Sequence, residues 1–223
     1  MRILSWIFVV LMMGMSAGVS AQKIVELKKP GKVTKPKPVK ESQPNNVDPI
    51  RPSWSVTVSG TGETPEALPS TEEMSALGAE AYQRNAYAEA LQWCGLAARQ
   101  GSADAQLILG DIYLYGKGIE EDHAEAARWY RKAAGQDVAR AQLCIGTLLY
   151  CGDGVPQDYT EAFNWLSKAA EKGDAVAQFL LGEMYSSGDG VPASIEEAAK
   201  WYRLSAAQGN AAAKEALDGL NGK

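Results

Sequence analysis

The sequence predicts an all-α fold: an α/α solenoid of stacked antiparallel helix pairs. Three observations carry this expectation. Trp93, Trp129, Trp165 and Trp201 stand at a constant interval of 36 residues, and periods of this size mark repeat arrays. The stretches 105–140, 141–176 and 177–212 align over that interval without a gap. Glycine and alanine recur at equivalent positions in each stretch, where helices approach closely or stop.

The elements follow in chain order. Arg2 precedes an apolar run from Ile3 to Met15, and small residues end at Val19-Ser20-Ala21. A basic start, a short apolar centre and an A-x-A-like end describe a secretory signal peptide over 1–21, cut after Ala21. The run is shorter than the ~20 residues of a spanning helix. The expected mature chain is therefore not transmembrane, and it is periplasmic or secreted. No cysteine lies near the cleavage point to carry a lipid.

Residues 22–70 read as a disordered, basic, Pro-rich linker. Within 22–53, eight Lys or Arg face three Asp or Glu, a net +5. The remainder, 54–223, holds 13 against 24, a net −11. This asymmetry points to electrostatic contact of the tail with an anionic envelope polymer or an acidic partner. Nucleic acid is not an expected partner, because export removes it and the body is acidic. Trp54-Ser-Val-Thr-Val58 alternates like a short strand.

Residues 71–104 form a helix pair with a short turn. Gly78 to Trp93 spans 15 residues, against 19 from Gly110 to Trp129. The three full repeats follow. Ala105, Ala141 and Ala177 open their first helices. Gly110, Gly146 and Gly182 lie mid-helix, where glycine costs about 1 kcal/mol against alanine; a crossing helix that excludes a side chain accounts for that cost. Gly116-Lys-Gly118, Gly152-Asp-Gly154 and Gly188-Asp-Gly190 end the first helices. Pro156 and Pro192 keep the helix from resuming. Ala126, Ala162 and Ala198, then the tryptophans, mark the inner stripe of the second helices. The tryptophans are expected to be their buried anchors. Gly173 and Gly209 break these helices, with Asp137 in that place in the first full repeat. Residues 211–223 hold a capping helix and tail, which a solenoid needs.

The pattern A-Q-x-x-L-G-x-x-Y-x-x-G-x-G-V-P-x-D-x-x-x-A-x-x-W-Y-x-x-A-A-x-x-G resembles the Sel-one-like repeat family, a relative of the tetratricopeptide repeats. Residues 105–212 match closely and 75–104 more weakly. The resemblance implies an α/α solenoid serving as an adaptor surface, acting in bacterial envelopes or on host partners when exported. Cysteine-rich relatives join adjacent helices by disulfides at the positions of Ala134 and Gln142. Neither is cysteine here, so the resemblance implies no such bridge.

Catalytic signatures are missing. His123 is the only histidine, beside Glu120, Glu121 and Asp122, and reads as solvated. Ser-x-x-Lys, the acylating pair of β-lactam enzymes, occurs once, at Ser20–Lys23, where the expected cleavage cuts it. The Gly-x-Gly loops follow helices rather than strands, so they are turns and not phosphate cradles. The odd set Cys94, Cys144 and Cys151 reads as small buried apolar groups. No metal ligand set and no cofactor is expected, and the chain is not expected to be an enzyme.

A protein or peptide partner is expected instead. Leu107, Leu143 and Phe179 share one repeat position; Asp111, Thr147 and Glu183 share another, four residues on and on the same face. Together they suggest an apolar groove with acidic flanks, or else packing against the neighbouring repeat. The functional expectation is an interaction scaffold or adaptor in the cell envelope or secreted. Alternatives are a regulatory ligand of an envelope sensor or secretion machine, and an enzyme acting on peptidoglycan or β-lactams.

Overall fold

The structure, a computed structural model, describes residues 69–221. The expected leader (1–21), the basic segment and the Trp54–Val58 strand lie outside the described residues. Among those described there are nine helices and no strand. The first pair is α1 (Thr71–Gln83) and α2 (Tyr87–Arg99). Three longer-looped pairs follow: α3 (Ala103–Leu114) with α4 (His123–Gly135), α5 (Ala139–Cys151) with α6 (Tyr159–Glu171), and α7 (Ala175–Ser187) with α8 (Ile195–Ala207). The cap is α9 (Ala211–Asn221). Each helix packs on the next, and each pair on the pair that follows. None is long and apolar enough to cross a membrane.

Local chemistry sets the boundaries. Ser70 and Glu73 form a reciprocal capping box at α1, which satisfies two orphan donors. Asp122, Asp158 and Ser194 cap α4, α6 and α8 by accepting from the amides of Glu125, Glu161 and Glu197. Those glutamates sit in the first turn, where the helix dipole favours negative charge. Gly152 and Gly188 close α5 and α7 at φ of 69° and 79°. The second glycine of each loop does a different job. A β-carbon on Gly154 would lie 2.4 Å from the His123 carbonyl carbon, and one on Gly190 would lie 2.6 Å from that of Tyr159. The loop of one repeat thus sits directly on the second helix of the repeat before.

The mid-helix glycines are also contact points. A β-carbon on Gly110 would meet the Tyr130 ring at 2.4 Å, and one on Gly182 the Tyr202 ring at the same distance. On Gly146 it would meet Leu166 at 2.8 Å, and on Gly78 the Cys94 sulfur at 2.4 Å. This corrects the expected role of the tryptophans. Trp93, Trp165 and Trp201 are only half-buried, although Trp129 is buried. The following residue, Cys94, Tyr130, Leu166 or Tyr202, is the one that enters the core. One helical step is about 100° of rotation, which turns that neighbour toward the glycine and leaves the indole on its flank. Lys132 and Lys168 cover the Trp129 and Trp165 rings, 4.0 and 4.5 Å from their centres.

Glutamines tie pair to pair. Gln106, Gln142 and Gln178 donate to the carbonyls of Ala98, Ala134 and Ala170. Ala134 and Gln142 are the places where cysteine-rich relatives were expected to carry a bridge, so an amide hydrogen bond spans that gap here. Gln136 then donates to the Gly101 carbonyl and to Gln106, and Gln208 repeats this with Gly173 and Gln178. The middle joint differs. Asp137 replaces the turn glycine at φ 68°, and Lys172 replaces the glutamine. The ammonium reaches both the Asp137 carboxylate and its carbonyl. With no amide facing it, the buried Gln142 Oε1 has no hydrogen-bond donor.

The Asp137 carboxyl is held below the ordinary aspartate value, first by the hydrogen bond from Lys172 and then by that from Gln142. A lowered folded value means that the fold favours the ionised form. Its contribution is present above the ordinary value of about 4 and is lost as pH falls through the lowered one. Asp137→Asn should therefore lower the urea midpoint at neutral pH, and the difference from the parent should shrink as pH falls below the ordinary aspartate value. An unchanged difference across that range would show that the carboxylate is not the stabilising group.

Candidate binding groove

The six residues expected to face a partner do not form one open stripe. Asp111 is 3% exposed. It accepts from the Tyr130 hydroxyl at 2.7 Å and pairs with Arg140 at 2.8 Å. Glu183 accepts from the Tyr202 hydroxyl at 2.6 Å. Thr147 is buried and donates to the Leu143 carbonyl at 2.8 Å; the residue opposite is Leu166, which has no hydroxyl. The position is therefore the acceptor for a buried tyrosine, present where the tyrosine is present and absent with it. Burial pushes the Asp111 carboxyl above its ordinary value, against the downward pull of Arg140 and of the Tyr130 hydroxyl. Leu143 and Phe179 are buried in the core, with Phe179 tilted against the Tyr202 ring. Both side chains are packed within the array. Leu107 is partly open.

Leu107 lines a groove between two first helices. A groove of about 500 Å³ runs between α1 and α3. Its floor is Ala76, Ala79, Leu107 and Ile108, and Glu72 and Asp104 lie on its rim. The groove exists because α1 presents alanine and serine where the other first helices present larger groups; Ser75 meets Ser102 by a hydroxyl pair at 2.9 Å. No Lys or Arg lines it. A second, smaller groove of about 290 Å³ lies at the middle joint, with Asp137, Glu171, Lys168 and Lys172 in its wall. The small residues of α1 were the sequence signal for the first groove, and they carry no periodicity that would have drawn attention.

The remaining polar groups act structurally. His123 is not solvated: its Nδ1 lies 2.6 Å from Asp153 in the next repeat's loop. Burial pushes the Cys94 thiol up to about 12 and that of Cys151 to about 11, and it raises Cys144 still further. Such thiols are poor nucleophiles, because the thiolate is the reactive form. Among the described residues no group of three His, Cys, Asp or Glu is placed to hold a metal ion.

The fold and its contacts define a class, the α/α solenoid built from 36-residue helix hairpins. The Sel1 repeat model matches residues 74–102, 103–138, 139–174 and 175–210. The chain belongs to the Sel1 repeat family, whose fold generally mediates protein–protein interaction and is typically non-catalytic. In the three full repeats the family's frame begins two residues before the frame read from the sequence, at the start of the first helix.

Solved structures similar to this chain include the following two. A Sel1 repeat protein from Oxalobacter formigenes is 41% identical over 56% of this chain and 94% of its own, with a TM-score of 0.51. The protein c5321, a protective antigen of uropathogenic Escherichia coli strains with an SLR fold, is 35% identical over 63% of this chain, with a TM-score of 0.59. The match spans 31% of that antigen's length. No curated protein matches the chain.

Proposed function

We propose that this chain is an exported, non-catalytic adaptor of the cell envelope whose α1–α3 groove receives an extended segment of a protein partner. The observation that carries this reading is the apolar lining of that groove, which no described residue covers, in an array whose other first-helix positions are filled by their own packing. An apolar floor with a few polar groups at its edge is the usual form of a recognition site. Export is supported by the basic, apolar and small residues of 1–21. The mass of the chain isolated from cells tests that part: a terminus at Gln22 is expected, and a retained Met1 would remove it.

Photo-crosslinking in intact cells tests the groove. A photoreactive residue at Ala76, on the groove floor, should capture a discrete protein. The same residue at Arg203, exposed on α8, should not. Leu107→Arg should abolish capture at Ala76 and leave helicity unchanged. Equal capture from both positions would sink the proposal.

A further inference from the structure

We infer that the α1–α3 groove is covered, in the unengaged protein, by the chain's own lysine-rich segment, residues 23–51. The inference rests on the reading of that groove as the docking face and names its resident competitor. Three observations converge on it. The groove pairs an apolar floor of small side chains with two rim carboxylates, Glu72 and Asp104, and no cation lines it. The other groove sets Lys168 and Lys172 against Asp137 and Glu171, so its wall carries no net negative charge for a basic strand. The segment 22–53 carries a net +5 and intersperses its lysines with Pro, Val and Thr. Such a strand lays small apolar groups on a floor and ammonium groups on a rim.

Connectivity supplies the third argument. The segment leads into α1, whose first residues Thr71 and Glu72 line this groove. Seventeen residues lie between Ser53 and Thr71, a reach of at most about 60 Å at ~3.3 Å per residue step. Contact within one chain is favoured at an effective concentration of order millimolar, so weak contacts suffice. A partner must then displace the segment, which makes capture depend on charge as well as on shape.

Zero-length carbodiimide coupling tests this on the full chain as isolated from cells. The reagent joins a lysine amine to a carboxylate as an amide, with net loss of water, only when the two are in contact. Links from Lys28, Lys35 or Lys40 to Glu72 and Asp104 are expected. They should stay within one chain in a mixture of light and heavy isotopes, and should be lost in about 1 M salt, where screening acts within about 3 Å. Glu72→Gln with Asp104→Asn should remove them without new links elsewhere, with helicity as the folding control. Links spread over exposed carboxylates such as Glu196 and Asp218, or links between chains, would overturn the inference. Absence of tail links in the unaltered chain at low salt, with partner capture at Ala76 intact, would refute self-covering alone. Absence of both links and capture in that chain would refute the groove as a docking face.

Discussion

Replacing Gly110 by valine is expected to cost at least about 3 kcal/mol and to loosen the array around it. The argument turns on what lies opposite. A β-carbon there meets the Tyr130 ring at 2.4 and 2.5 Å. The ring has no room to retreat, because Tyr130 is fully buried and its hydroxyl is fixed on Asp111. Glycine to alanine in a free helix would gain about 1 kcal/mol, so even Gly110→Ala sets that gain against an overpacking loss of about 1–3 kcal/mol. Gly219, in α9, is the control: nothing lies within 4 Å of its added β-carbon. Gly219→Ala should stabilise the protein or leave it unchanged. Urea denaturation followed by circular dichroism measures all three, and equal midpoints for Gly110→Ala and Gly219→Ala would refute the contact.

The second large effect concerns the tyrosine itself. Tyr130→Leu should cost about 3 kcal/mol, by opening a cavity and removing a donor from a buried carboxylate. Repeat 2 holds the compensated form of the same site, Thr147 opposite Leu166. The double change Asp111→Thr with Tyr130→Leu should recover about 1–2 kcal/mol of the loss, a coupling of the size seen between residues in direct contact. The single variant should also respond to pH. Burial raises the Asp111 carboxyl, so the fold favours its protonated form. That contribution is complete below the ordinary aspartate value and is lost as pH rises through the raised one. The deficit of Tyr130→Leu should therefore shrink on acidification, whereas that of the double variant should not.

Much of this architecture was readable from residue spacing, because a solenoid repeats its constraints. Gly110, Gly146 and Gly182 announced a helix crossing, and the Gly-x-Gly loops announced where each first helix ends. Their second glycine proved to be a contact with the preceding repeat, which no single repeat contains. The tryptophans misled in one respect: rarity made them conspicuous, while the residue beside each was the one turned inward. The role of Asp111 and Glu183 was within reach. Each stands 19 residues before a tyrosine, and the tyrosine is replaced in the one repeat where the acid is replaced. The His123–Asp153 contact was not readable, since it depends on how far one repeat's loop overhangs another's helix. The groove was hidden for a related reason. It comes from what α1 lacks, and a missing side chain leaves no period.

The exchange of Gly101 and Gln136 for Asp137 and Lys172 in the next repeat has a mechanical consequence. The outer joints are tied by neutral amides, which dissolved salt hardly touches. The middle joint is crossed by Lys172–Asp137, Arg131–Glu161, Arg140–Asp111 and His123–Asp153. The largely exposed pairs, Lys172–Asp137 and Arg131–Glu161, contribute only about 0–1 kcal/mol each, yet both answer to ionic strength together. The rod therefore carries one brine-softened elbow at its midpoint. Changes of medium would alter its bend there, and would leave each half, two hairpins long, as stiff as before.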